Sequence, residues 1–414
     1  MKVLYFHQHF STPKGSTGTR SYEMAKRLIE HGHQVTMVCG SGFMAKTGLE
    51  LMGEPEDYIR RGIVDGIDVI EINLEYSNYD SLTKRALIFF KYAVKSTFIA
   101  WKEKYDVLFA TSTPLTAGIP GIVMRIMKPG KRFVFEVRDL WPELPKAMGV
   151  VSNPFVLLGM TILEKISYAA MHGGVALSPG ICKGMLRGAG AGKKIAMIPN
   201  GCDLDMFKPG KTDDNGSSKL LAGFPEDSFR CIFTGAHGIA NGLDAVLDAA
   251  GVLKEKGRTD IFLLFVGDGK LKPGLKQKAL KRELNNCIFI DPISKTELAE
   301  LLQQVHVGMM ILDNVPAFYY GTSPNKFFDY ISSGLPVLNN YPGWLKEIIV
   351  QNQCGVAVPP EEPKAFANAL IELADNPEKR KKMGTNARKL AISQFARQDL
   401  ADELVSFLEK ICKI

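Results

Sequence analysis

The sequence predicts an α/β protein built from two doubly wound parallel-sheet domains that face each other across a cleft. Three observations predict it. Short apolar, strand-like runs alternate with amphipathic helical segments, first from KVLYF at 2–6 and again from FRCIFT at 229–234. The intervening stretch 208–228, KPGKTDDNGSSKLLAGFPEDS, has the Gly, Pro, Ser, Asp and Lys content of a linker. A chain of 414 residues is also too long for one core, so two domains of roughly 200 residues each are expected. No repeat of solenoid length is present.

Composition narrows the class. A 46% hydrophobic content with mean hydropathy of −0.01 is that of a soluble globular protein. The seven cysteines are scattered without a C-x-x-C pair, which points to reduced cytosolic thiols rather than disulfides or zinc. The apolar start is broken at once by His7, Gln8 and His9, so no secretory signal is expected. The most apolar segment, 86–101, is interrupted by Lys91 and Lys95 and is too short to span a bilayer. Residues 1–200 hold 25 Lys and Arg against 17 Asp and Glu, whereas the remainder is nearly balanced. That basic half suits an anionic partner, a membrane face or nucleic acid; ordinary solubility charge is the competing reading. No nucleic-acid motif accompanies it.

In the first half, strands are expected at 2–6 and 33–39 around a helix at 21–31. This βαβ start favours a parallel sheet. The connecting loop STPKGSTGTRS is not G-x-G-x-x-G, and Cys39-Gly40 replaces the acidic residue of a dinucleotide site, which disfavours that ligand. Residues 41–61 read as a long loop and 68–72 as a strand. The segment 82–104 reads as a helix on which aromatic and basic residues interleave, suited either to a membrane interface or to core packing with a solvated lysine face. Strands at 106–110 and 132–137 flank a helix at 117–127. Arg138 and Asp139 then stand just past a strand end, where parallel sheets bind ligands. Asp139 there is placed to accept a proton or steady positive charge, or else to cap a helix. A helix at 155–172 and strands at 174–177 and 194–198 complete this half.

In the second half, strands at 229–234, 261–266, 286–290 and 306–311 alternate with helices, and 361–411 is mostly helical. The stretch 319–336, YYGTSPNKFFDYISSGLP, carries the most chemistry. It reads as a loop followed by a short helix whose first turn presents Ser323, Asn325 and Lys326. Free N–H groups, a positive dipole end and a cation together suit a phosphate, and Asp329 lies on the same face as Lys326. A cation for a diphosphate beside a carboxylate for hydroxyls is what a nucleotide sugar requires. An ordinary capped core helix is the alternative.

The order of G-S-T-G-T-R near the start, P-N-G-C-D-x-D-x-F at 199–207, a glycine turn at 235–238, V-G-D-G at 266–269 and P-N-K-F-F-D-Y-x-x-S-G-L-P-V at 324–337 resembles the retaining family 4 glycosyltransferases. The match spans nearly the whole chain. The D-L-W-P at 139–142 looks like the bacterial L-fucosamine transferase-like subgroup of O-antigen and capsule biosynthesis. The resemblance implies a GT-B fold of two Rossmann-like domains. It divides the chain into an acceptor domain at 1–200, a linker at 201–228, a donor domain at 229–395 and a helix at 396–414 crossing back to the first domain. It implies a UDP-linked donor as substrate, with no cofactor and no metal, and the Asp203 and Asp205 pair reads as hinge structure. Lys326 would pair with the diphosphate, Asp329 would hold the ribose, and Ser323, Pro324 and Asn325 would shape that loop. Gly18 and Thr19 would close over the phosphates. Gly235, His237, Gly238, Gly267 and Ile293 would line the nucleotide, and Asp139 would stand near the anomeric carbon.

The sequence also departs from the family pattern. Gly321 replaces the first carboxylate of the E-x7-E motif, and Ile239 and Asn241 replace two expected phosphate cations, leaving Lys326 and His237, with Arg20 and Arg138 as supporting cations. Altered donor chemistry, an arginine reaching in, or weakened catalysis are the readings this leaves. The implied activity is sugar transfer to a polyprenyl-linked glycan by a cytoplasmic enzyme touching the inner membrane face. A nucleotide-sugar 2-epimerase and a catalytically silent scaffold of the same fold are the alternatives.

Overall fold

A computed structural model describes residues 1–42, 45–50, 59–77, 79–190, 192–210, 224–225 and 227–413, and the chain divides into two compact units. The first comprises Met1–Asn200, Tyr320–Ser323 and Arg397–Ile414; the second comprises Gly201–Tyr319 and Pro324–Ala396. Much of the linker expected at 201–228 falls outside the described residues, as do 43–44 and 51–58 of the loop expected at 41–61.

The first unit runs β1 (Lys2–Phe6), α1 (Arg20–Glu30), β2 (Gln34–Gly42), β3 (Ile59–Val64), β4 (Ile67–Tyr76), α2 (Leu82–Lys102), β5 (Val107–Thr111) and α3 (Ile119–Met127). It continues with β6 (Arg132–Val137), α4 (Glu143–Ala147), α5 (Pro154–Ala170), β7 (Gly173–Ala176), α6 (Pro179–Ala189) and β8 (Lys194–Met197). Its sheet has the order β3-β4-β2-β1-β5-β6-β7-β8. Every neighbour pair is parallel except β3 and β4, which are antiparallel. Strand order reverses at β1, and the carboxyl ends of β1, β5 and β6 meet at that crevice, the usual place for a ligand in such sheets.

The edge hairpin β3–β4 corrects the expected loop and short strand. Val64 pairs with Ile67 across Asp65-Gly66, both at positive φ, +51° and +85°. An Asp-Gly pair satisfies that two-residue turn, so the signal was present in the sequence.

The second unit contains β9 (Phe229–Thr234), α7 (Asp244–Glu255), β10 (Ile261–Val266), α8 (Lys272–Lys281), β11 (Cys287–Ile290), α9 (Lys295–Leu302) and β12 (Val307–Met310). It continues with α10 (Pro316–Gly321), whose last two residues are counted with the first unit, then α11 (Asn325–Ser332), β13 (Val337–Asn339), α12 (Trp344–Gln351), β14 (Gly355–Ala357), α13 (Pro363–Asp375) and α14 (Pro377–Gln394). Its six strands are all parallel, in the order β11-β10-β9-β12-β13-β14, so the switch point lies between β9 and β12. α15 (Arg397–Cys412) belongs to the first unit, where Leu404 and Leu408 join the core formed by Val3, Tyr5 and Leu28. A separate core on the other face of that sheet takes residues of α2, α3 and α5.

Candidate functional site

The second unit's switch point is lined by two glycine turns and by the start of α11. Gly235 and Gly267 follow β9 and β10 with φ of +129° and +137°. A Cβ on Gly267 would lie 2.0 Å from the Gly235 carbonyl oxygen, so only glycine lets these two loops approach. His237 and Asp268 then join through a 2.8 Å backbone hydrogen bond, and Gly238 begins the short turn over Ile239–Asn241. Ile293 stands half-buried just before α9.

α11 begins after Pro324 with no side chain capping its first turn, so the N–H groups there keep their dipole end open. It ends at Gly334, whose φ of +69° lets Leu335 N–H return to Tyr330 carbonyl. Lys326, in that first turn, donates to Asn241 Oδ1 at 2.7 Å, and its ammonium lies 4.1 Å from the centre of the Phe233 ring. Among the described residues no carboxylate pairs with it. Burial lowers its pKa from 10.5 to about 7. The result is a cation held over a ring and a neutral amide, lacking the anion that would neutralise it.

Other predicted residues fall elsewhere. His237 is not a second cation. It is fully buried among Phe233, Phe265 and Phe289, with neither ring nitrogen hydrogen-bonded, and burial with nearby Lys272 lowers its pKa to about 4. It is neutral at neutral pH. Asp329 is also interior and accepts from Lys295 Nζ at 2.8 Å. Lys295 in turn faces Asp203 at 3.8 Å and lies 4.8 Å from the Phe207 ring. Ser323 packs with the first unit, where Asn200 N–H donates to its hydroxyl at 3.0 Å. At Gly321 an added Cβ would meet nothing within 4 Å.

Two lysines were missed. Lys295 opens α9, where a cation opposes the helix dipole; that unfavourable placement was the available signal that an acid holds it. Lys272 is buried and donates to the carbonyls of Gly267 and Ile290 and to Asp291, tying the glycine turn to the end of β11.

In the first unit, Arg138 and Asp139 follow β6. The Arg138 backbone N–H donates to Ser112 Oγ at 2.9 Å, and its guanidinium lies 3.4 Å from His7 Nε2. Asp139 Oδ2 accepts from Thr113 Oγ1 at 3.3 Å; burial raises its pKa, while Arg138 and Thr113 oppose the rise. Gly18 and Thr19 immediately precede α1, with Thr19 buried as its N-cap residue and Gly18 half-buried.

Arg20, expected as a supporting cation, is instead engaged inside the first unit. It is fully buried, donates twice to Glu136 at 2.8 and 3.1 Å, and donates to the carbonyls of Ile198 and Pro199. Burial pushes the Glu136 carboxyl up, but the Arg20 guanidinium, with Arg138 and the Thr111 hydroxyl, holds the group below its ordinary value. Sequence reasoning also passed over His9, whose ring packs 4.7 Å from Tyr76 and 6.4 Å from Phe89, with the Arg85 guanidinium 5.6 Å from the centre of the Tyr76 ring.

Two family descriptions match this chain: "Glycosyltransferase Family 4" over residues 17–206 and "Glycosyl transferases group 1" over residues 221–390. The chain belongs to the group 1, family 4 glycosyltransferases. Among the chain's curated relatives, D-inositol 3-phosphate glycosyltransferase of Streptomyces avermitilis is 26% identical over 212 residues, 48% of this chain and 43% of the relative. The chain thus spans about half the length of the curated relatives it matches. Two solved structures share the GT-B fold nearly end to end. Sucrose-phosphate synthase from Thermosynechococcus elongatus has a TM-score of 0.76 at 16% identity, covering 99% of this chain and 98% of that one. Alr3699/HepE of Anabaena, solved with UDP-glucose, has a TM-score of 0.70 at 16% identity, covering 99% and 100%.

Proposed function

We propose that this chain is a retaining, metal-independent hexosyltransferase. It moves a sugar, an N-acetylated hexosamine or deoxyhexosamine, from a UDP-linked donor to a polyprenyl-linked glycan. The observation that carries the reading is Lys326, an ammonium without a counter-anion at the uncapped start of α11, on the carboxyl edge of a parallel sheet. A diphosphate supplies the missing charge, and its growing negative charge on departure is what the cation and the N–H groups stabilise. UDP as the carrier draws support from the neighbour solved with UDP-glucose.

In the proposed step the acceptor hydroxyl oxygen bonds to the anomeric carbon on the face the diphosphate leaves. The bond to the diphosphate oxygen breaks, and that oxygen takes the hydroxyl proton. Asp139 is assigned the carboxylate that supports the cationic sugar. Freedom from metal is supported by Asp203, which faces the Lys295 ammonium. D-L-W-P at 139–142 and P-N-K-F-F-D-Y at 324–330 support an L-fucosamine transferase-like role in O-antigen or capsule assembly, at the inner face of the cytoplasmic membrane.

A screen of UDP-sugars for hydrolysis and release of UDP tests this. Turnover of the best donor is expected to fall about 100- to 1000-fold in Lys326→Ala, and comparably in Asp139→Ala. Unchanged turnover in both variants would sink the assignment.

A further inference from the structure

α5 is apolar nearly all round, yet only Ser167 and Tyr168 of its residues are buried. Phe155, Leu158, Ile162 and Ile166 recur every three or four residues along one exposed side, with Phe155 82% exposed. α2 repeats the pattern: Leu87, Phe90, Val94, Phe98 and Trp101 form a second exposed stripe, while Ile88, Tyr92 and Ile99 on its other side enter the core. α3 packs against both helices and exposes Ile126 and Met127 at its end. Ile88 and Tyr92 of α2, Met124 of α3 and Tyr168 of α5 share one core against one face of the sheet. The outer sides of the three helices therefore point the same way, and the stripes make one surface.

The exposed charges of these three helices have one sign. α2 and α3 contain no acidic residue, and the single acid of α5, Glu164, accepts from Tyr168. Lys91, Lys102, Arg125 and Lys165 are exposed beside the apolar stripes.

We propose that the outer face of α2, α3 and α5 is a docking surface for an anionic lipid bilayer, with the stripes entering the headgroup boundary and the cations meeting lipid phosphates. The proposal rests on the reading of a lipid-linked acceptor above, and it assigns the contact to three helices rather than to the α2 segment alone. A soluble core does not explain an apolar helix left outside. A second copy of the chain packed through the same face would set its lysines and arginines against their own kind, with no exposed acid on these helices to pair them.

The test is flotation of the full chain with vesicles of phosphatidylcholine, with and without phosphatidylglycerol. Binding is expected with the anionic vesicles, weakening as salt rises. Lys91→Gln with Lys102→Gln is expected to weaken it about 25-fold, roughly fivefold for each lysine. Phe98→Ser with Phe155→Ser is expected to abolish it. Because all four side chains are exposed, their melting temperatures and UDP affinities are expected to stay at the wild-type value. Absence of binding to anionic vesicles, binding indifferent to these replacements, or a lipid-free dimer that Phe98→Ser with Phe155→Ser dissociates would each overturn the proposal. Flotation lost in the variants while UDP-sugar hydrolysis persists leaves the activity standing; hydrolysis absent with flotation intact overturns only the activity.

Discussion

Replacing Lys326 with Met is expected to weaken nucleotide binding and to raise stability. Burial holds this ammonium at a pKa of about 7 against an ordinary 10.5. Between those values the unfolded chain binds more protons than the folded one, so this group's contribution to stability rises with pH across that window and is poorest below it. Deleting an uncompensated, half-buried cation near neutral pH is expected to add roughly 1–3 kcal/mol, and about 2–4 °C of melting temperature for each kcal/mol. A diphosphate selects the protonated form. Wild-type affinity for UDP is therefore expected to fall about tenfold per pH unit above 7. The terminal phosphate of UDP, with a pKa of about 6, is ionised over that range and does not imitate the effect. Losing the charged hydrogen bond is expected to cost about 1.5–3 kcal/mol, or roughly 10- to 150-fold in affinity, and to flatten the pH profile. Calorimetric titration of UDP from neutral to alkaline pH, with thermal melts of both proteins, reads all of this. A flat wild-type profile, or a Lys326→Met protein that binds UDP as before and melts lower, would refute the reasoning.

Lys295→Met leaves Asp329 buried without its 2.8 Å partner and is expected to cost about 3–5 kcal/mol in chemical denaturation, with much of the loss recovered by adding Asp329→Asn. Arg20→Met is expected to destabilise by a similar amount, about 3–5 kcal/mol, by leaving the buried Glu136 without its ion-pair partner; in the wild type, whose Glu136 pKa is lowered, the stability from this pair is lost as pH falls through the acid range. Gly267→Ala, meeting the Gly235 carbonyl oxygen at 2.0 Å from a φ of +137°, is expected to lower the melting temperature and UDP affinity together. Gly321→Glu, entering open space, is expected to change stability by no more than about 0.5 kcal/mol, so any change in donor turnover tests the expectation, drawn from the family resemblance, that this position faces the sugar.

The two parallel sheets were legible because their strands are buried on both faces and read as continuous apolar runs bounded by turns. The β3–β4 hairpin was overlooked because Arg60, Arg61 and Asp68 interrupt its apolar pattern, although Asp65-Gly66 marks its turn. Lys326 was legible because a cation, a proline and a helix start coincide within a few residues. The fates of Arg20, His237 and Lys295 were not, since their partners lie far along the chain: Glu136 for Arg20, Phe265 and Phe289 for His237, and Asp329 for Lys295.

By itself, the sequence determined the alternation of strands and helices, the glycines its turns need, and the pairing of Lys326 with an open helix start. These depend on neighbours within a turn or two, where period and backbone freedom decide the outcome. Only the tertiary structure decided which charged groups remain free. Arg20 and Lys326 look alike as cations in sequence, yet Arg20 folds onto a buried carboxylate whereas Lys326 folds onto a ring and an amide. Charge availability depends on what the folded chain brings within a few ångströms, and that is set by sheet order and helix packing.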